Sequence, residues 1–274
     1  MEIKNYPDGA SYASVDSVWT NLVFKVNSYD DLWKLNQVVD GYKDLGIRPT
    51  IIIPNLIDAQ ADRRFGKGQS SGLKLVCNFL NGMDADFQIF HPHNTEVVEA
   101  LMSNVEIIDN TDFIDKVLMD IAHLPTLASG SGEALSDGLI LMSADAGGFK
   151  PLIKLADNLK WEGETYSASK SRTQSGLKQL IDKQDFEGKD VLIVDDISVR
   201  GGTFKGLSTL LKDKNVGNLY LAVSHITVQD LGEDPVTNYF DKVFTTNSKY
   251  DIYPTKDMGG RMVNPSNLEI IKMF

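Results

Sequence analysis

The sequence predicts an α/β fold of mostly parallel sheets flanked by helices, arranged as two tandem domains. Three observations predict it. Short apolar runs rich in β-branched residues recur at 50–53, 87–90, 139–142, 191–194, 219–223 and 243–244. Most are too short for free-standing helices and read as buried strands. Helical periodicity lies between them, and each run is followed by a loop rich in Asp, Gly, His or Asn. Strands alternating with helices imply βαβ units.

The helices can be placed in order. Residues 30–45 follow Ser28, a natural N-cap, and put Leu32, Leu35, Val38, Val39 and Tyr42 on one face. Residues 70–80, 95–101, 149–159 and 203–213 are the further candidates. The number of elements exceeds one small sheet. A Gly/Ser-rich stretch at 128–133 lies near the midpoint, so the expected division is 1–127 and 128–274. The apolar tail at 260–274 is expected to dock back on the first domain or on a partner.

Composition narrows the class of function. Of 274 residues, 27 are Lys or Arg and 38 are Asp or Glu, a formal net charge of −11. That balance argues against holding nucleic acid by bulk charge and against an anionic membrane surface. No apolar run approaches the roughly 18 residues of a membrane helix, and MEIKNYPDGA is no signal peptide. A cytoplasmic protein is expected. The one cysteine, Cys77, sits in an apolar stretch and reads as a core thiol.

In open α/β sheets, ligands collect at the carboxyl ends of strands. The polar clusters at 54–64, 91–94, 143–148 and 195–203 all follow strand candidates. The strongest is Val-Leu-Ile-Val-Asp-Asp-Ile-Ser-Val-Arg-Gly-Gly-Thr-Phe at 191–204. Asp195 and Asp196 suit the vicinal hydroxyls of a ribose. Gly201 and Gly202 allow backbone N–H groups to approach a phosphate. A helix starting near Thr203 aims its N-terminus at that phosphate. Ser198 and Thr203 add hydroxyls, and Arg200 adds a planar donor fork.

This segment resembles the ribose-phosphate loop of the type I phosphoribosyltransferase fold. The order of the other motifs is similar to that in the ribose-phosphate pyrophosphokinases, which look like two phosphoribosyltransferase-like domains in tandem. Tyr6-Pro7-Asp8-Gly9 resembles their N-terminal aromatic-x-Asp-Gly element. Ile53-Pro54 followed by Asp62-Arg63 resembles their ATP loop. His91-Pro92-His93 falls at their Asp-Leu-His turn, and the segment from Ser143 through Asp145 to Gly148 is close to Ser-Pro-Asp-Ala-Gly-Gly. Lys170-Ser171-Arg172 resembles the opening of a mobile catalytic loop, and Ser224-His225 follows the next strand. The likeness covers roughly residues 6–250 and looks closest to a branch found in phage and bacterial nicotinamide salvage.

The resemblance implies a reaction and roles. ATP would give its β,γ-diphosphate to the anomeric hydroxyl of a ribose 5-phosphate unit, with AMP as co-product and Mg2+ as cofactor. Lys170, Arg172 and His93 would be catalytic. Asp145 and His93 would serve the metal. Asp195, Asp196, Ser198, Arg200, Gly201, Gly202 and Thr203 would hold the sugar phosphate. Asp8, Gln60, Asp62 and Arg63 would hold ATP. A homo-oligomer is implied as well.

The departures matter. Gln60-Ala61 stands where the family has Arg-Gln, Ala10 where it has Glu, and Val199-Arg200-Gly201-Gly202-Thr203 where it has Asp-Thr-Ala-Gly-Thr. Arg63, Arg64 or Lys67 are the available substitutes for the lost arginine. Arg200 leaves two acceptors open, ribose 5-phosphate and ADP-ribose. A phosphoribosyltransferase and a non-catalytic regulatory homologue are the alternatives.

Overall fold

The computed structural model of the protein describes residues 1–15, 19–124, 135–173, 176–227, 234–252, 255–256 and 262–274. Side chains are described for these except at 170–173, 176–179, 255–256 and 262–263. The chain divides into two compact units, Met1–Asp109 with Phe274, and Asn110–Met273.

The first unit opens with a hairpin of β1 (Glu2–Asn5) and β2 (Ser11–Ser14). Then come β3 (Asn21–Val23), α1 (Tyr29–Asp44), β4 (Thr50–Ile53), α2 (Gly72–Asn81), β5 (Asp86–Phe90), α3 (Thr95–Leu101) and β6 (Val105–Ile108). The sheet order is β3-β4-β5-β6, and every pairing is parallel. Helix α1 starts where Ser28 accepts from the Asp31 N–H at 3.2 Å, while the Asp31 carboxylate accepts from Asn27 N at 3.0 Å. This reciprocal cap satisfies N–H groups that the first turn leaves unpaired. The helix buries Leu32, Leu35, Val38, Val39 and Tyr42, the face its spacing predicts. Cys77 is fully buried, and burial pushes its thiol up to about 11, as a core thiol requires.

The second unit begins with α4 (Thr111–Ala122) and α5 (Leu135–Gly138). It continues with β7 (Leu139–Ser143), α6 (Phe149–Leu159), β8 (Thr165–Ser167), β9 (Ser169–Thr173), β10 (Gly176–Leu180) and β11 (Asp190–Ser198). After these come α7 (Gly202–Lys212), β12 (Leu219–Ile226), β13 (Lys242–Thr246), β14 (Thr255–Lys256), β15 (Met262–Val263) and β16 (Leu268–Ile271). The main sheet has order β16-β13-β12-β11-β7-β8 and is parallel throughout. Strands β9 and β10 form an antiparallel hairpin, as do β14 and β15.

Two differences from the sequence reading stand out. The change of unit falls at 109/110, not 127/128. Helix α4, which the sequence reading did not place, is the reason. It buries Phe113, Ile114, Val117, Leu118 and Ile121 and packs on α6, β12 and β16, so it belongs to the second core. The Gly/Ser stretch at 128–133 lies outside the described residues.

The strand order of the second unit carries a reversal. From β7 the chain moves outward to β8, then returns to pair β11 on the other side of β7. The carboxyl ends of β7 and β11 therefore flank a topological switch point, where an open parallel sheet forms a crevice. The first sheet runs in one direction and has no such point.

The far end of β11 is clamped. Asp190 is 5% exposed, and its Oδ1 accepts from Asn218 N at 2.6 Å while the Tyr220 hydroxyl lies 3.3 Å from its Oδ2. A Cβ at Gly217 would lie 2.5 Å from both Asp190 Oδ1 and Gly188 O, so only glycine closes this turn. Gly217→Ala is expected to destabilise the second unit by about 2 kcal/mol. A denaturant midpoint equal to that of the unaltered chain would contradict the clamp.

Candidate functional site

The switch point gathers the strongest sequence motif. Strand β11 is buried from Asp190 to Val194 and half-buried from Asp195 to Ile197, so its core half anchors a polar end. Asp196 N donates to Asp195 Oδ1 at 2.9 Å, and the two carboxyl groups are neighbours on the strand end. Desolvation holds the Asp195 carboxyl well above the ordinary carboxylate range, aided by the charges of Asp196 and Asp145. Asp145, after β7, thus acts on the same carboxyl as Asp196 within β11.

Asp145 is itself positioned by backbone. Its Oδ1 accepts from Gly147 N at 3.0 Å and Gly148 N at 3.2 Å, capping a single 3₁₀ turn over Ala146–Gly148. Ser143 Oγ donates to the Asp145 carbonyl at 3.0 Å. A Cβ on Gly147 would come within 3.2 Å of that carboxylate, so the glycine leaves room for the carboxylate's cap.

Gly201 takes φ +67° and caps α7 from the left-handed region, which disfavours other residues by about 1–2 kcal/mol. The N-cap Gly201 has no side chain to cap α7, so no N-cap side chain takes up the first-turn N–H groups that could meet an anion. The two glycines serve different ends. Gly201 is needed for its φ, whereas a Cβ on Gly202 would meet nothing within 4 Å. Gly202 therefore faces open space and keeps it open. Thr203 is half-buried and Arg200 exposed, while Ser198 is only 1% exposed in the β11–β12 pairing.

The first unit carries the other candidates. Asp62 is mostly buried, with a side chain 10% exposed, and its Oδ2 accepts from Asn94 Nδ2 at 3.1 Å. Asn94 also caps α3, its Oδ1 accepting from Val97 N at 3.2 Å. One asparagine thus ties the loop after β4 to the loop after β5, which bears His93. Ser71 Oγ, at the start of α2, donates to the Ala61 carbonyl at 3.2 Å. Asp58 holds φ +58° and accepts from the Tyr29 hydroxyl at 2.8 Å. Gln60, Arg63 and His93 are exposed. Asp8 sits in the β1–β2 turn, where Oδ1 accepts from Ala10 N at 3.0 Å. Sequence reasoning assigned no role to Asn94, Ser71 or Asp58. The Asn and Ser were legible only as helix caps.

The remaining candidates fall elsewhere. Lys170 and Arg172 lie in β9, paired with β10, and their side chains lie outside those described. His123 lies with Nδ1 2.6 Å from the Met119 carbonyl at the end of α4, a structural role. His225 is 3% exposed with Nδ1 2.8 Å from Ser248 Oγ.

No group of three or more His, Cys, Asp or Glu among the described residues is placed to hold an ion by itself. The charges of Asp196 and Asp145 nonetheless act on the Asp195 carboxyl, and a cation would relieve that repulsion. These residues fit Mg2+, which keeps few protein ligands and takes the rest from phosphate and water.

The pH consequence is specific. Folding holds the Asp195 carboxyl protonated where the unfolded chain has released the proton. Its stabilising contribution is present below the unfolded value of about 3.9 and is lost as pH rises through the folded value. Asp195→Asn removes that titration. Melting temperature measured from about pH 4 upward is expected to fall less steeply for the variant than for the unaltered chain. Parallel curves would contradict the burial of this carboxyl.

Known proteins resemble the chain in sequence and in fold. Residues 132–254 match the phosphoribosyl transferase domain family. The ribose-phosphate pyrophosphokinase of Methanobrevibacter smithii is 23% identical over 242 residues, covering 82% of this chain and 77% of its own. That of Pyrococcus abyssi is 22% identical, covering 90% and 84%. The crystal structure of phosphoribosylpyrophosphate synthetase from Mycobacterium smegmatis superposes with TM-score 0.73 at 18% identity, over 99% of this chain and 85% of that one. This likeness carries the fold, an α/β architecture of parallel sheets flanked by helices. No helix among the described residues is long and apolar enough to cross a membrane. The chain is similar to ribose-phosphate pyrophosphokinases over most of its length, and its second unit holds the segment that matches the phosphoribosyl transferase domain family.

Proposed function

We propose that the chain is an ATP-dependent pyrophosphokinase acting on the anomeric hydroxyl of a ribose 5-phosphate unit. The observation that carries this reading is the loop at 195–203. It joins an acidic strand end, a left-handed glycine and a helix without a side-chain cap at the switch point of the second sheet. Kinship to the pyrophosphokinases across both units supports it.

In this reading the α7 N-terminus, Gly201, Gly202 and Thr203 hold the 5-phosphate. Asp195 and Asp196 accept from the ribose hydroxyls and fix the sugar. The anomeric oxygen attacks the β-phosphorus of ATP and loses its proton. The bond from the β-phosphorus to the α–β bridging oxygen breaks, and AMP leaves with that oxygen. Alignment and charge neutralisation carry such transfers. Lys170 and Arg172 supply positive charge to the transferring group, and His93 contacts the triphosphate. Asp62 and Arg63, with Gln60 and Asp8, hold the nucleotide. Asp145 would hold Mg2+, which would supply charge neutralisation for the triphosphate. The active form is a cytoplasmic homo-oligomer.

Arg200 favours a second reading of the acceptor. It is exposed beside the phosphate loop, where a guanidinium would meet the second phosphate of ADP-ribose. The product would then serve nicotinamide attachment. The test is to offer the purified chain ATP, Mg2+ and either ribose 5-phosphate or ADP-ribose, and to weigh the products. One acceptor is expected to gain two phosphate groups, with AMP formed in equal amount. ADP as the nucleotide product, or two unchanged acceptors, would overturn the proposal. Release of diphosphate from phosphoribosyl diphosphate and a nucleobase would mark a phosphoribosyltransferase instead.

A further inference from the structure

Phe65 is 89% exposed, above even Trp19 at 74%. A single exposed apolar side chain is ordinary. Its surroundings are not. Arg63, Arg64 and Lys67 flank it within five residues, in a chain of net charge −11, and all three are exposed.

The loop is pinned on both sides of this tip. Asp62 is held by Asn94, and Ser71 Oγ donates to the Ala61 carbonyl. The turn bearing Phe65 is closed by Gln69, whose Oε1 accepts from Phe65 N at 2.9 Å, and Gly68 at φ +79° completes it. The ring is thus exposed on a built turn, with cations close to it in sequence, on the loop that follows β4. A flat apolar face with guanidinium groups close to it in sequence suits a planar base joined to a polyphosphate. The base gains stacking and cation–π contact, and the phosphates gain charge-assisted hydrogen bonds.

We propose that Phe65 is the platform on which the nucleobase of the triphosphate donor stacks, with Arg63, Arg64 and Lys67 meeting its phosphates. This deepens the proposed function, since it takes the donor from that reading. It also explains how a nucleotide is held where Gln60-Ala61 lacks the usual arginine.

The test is calorimetric binding of ATP and of inorganic tripolyphosphate, which has no base, to the full chain and to Phe65→Ala and Phe65→Trp. Phe65→Ala is expected to weaken ATP about tenfold and to leave tripolyphosphate unchanged. Phe65→Trp is expected to restore ATP binding. Unaltered ATP affinity in Phe65→Ala, or equal loss for both ligands, would overturn the platform. So would a change of oligomeric mass with ATP binding kept, which would make the ring a contact between copies. If the base-dependent loss is seen but no diphosphate is transferred, the reaction fails and the platform stands. If AMP is formed and Phe65→Ala binds ATP normally, only the platform fails. No ATP binding by the unaltered chain overturns both.

Discussion

The candidate site depends on where β11 ends. Because β8 lies outside β7 and β11 returns to its other side, the sheet opens a crevice between two parallel strand ends. The buried half of β11 and the Asp190–Asn218 clamp at its start set the strand's register. That register places Asp195 and Asp196 at the rim. The left-handed Gly201 then turns the chain into α7. A strand one residue longer or shorter would exchange the faces of these carboxyls.

The same constraint explains how an acidic protein can serve an anionic substrate. Net charge describes the surface and its long-range field. The crevice works by local terms. Backbone N–H groups of α7 favour anions, while burial, aided by the charges of Asp196 and Asp145, raises the Asp195 carboxyl well above the ordinary carboxylate range. An arrangement short of positive charge, with a helix N-terminus beside it, suits a ligand that brings phosphate and cation together. In the first unit the exposed cations at 63–67 are concentrated on one pinned loop.

What was legible in the sequence was local. The buried face of α1, the central strands β4, β5, β7, β11, β12 and β13, and the strand-to-helix course of 191–204 follow from periodicity and turn chemistry, whereas β3, β6, β8 and β16 were not picked out. Helix α4 was equally legible, since Phe113, Ile114, Val117, Leu118 and Ile121 share one face. Missing it moved the expected domain boundary. The hairpins β1–β2 and β9–β10 are polar and alternate weakly, so neither reads as a strand pair. The Asp62–Asn94 bond joins residues 32 apart, and the Asp195 environment needs Asp145 from another strand. Such contacts are products of the tertiary fold, and no local pattern encodes them. The different duties of Gly201 and Gly202 likewise emerge only from backbone angle and surrounding space.

The central claim is that the β11–α7 loop receives the acceptor's phosphate. Amide NMR of the isotopically labelled full chain, titrated with ribose 5-phosphate, tests it most directly. The account predicts the largest backbone shifts at Arg200, Gly201, Gly202 and Thr203, saturating together, because their N–H groups would meet the phosphate. Shifts confined to the first unit, or absent from these four residues at saturation, would contradict it.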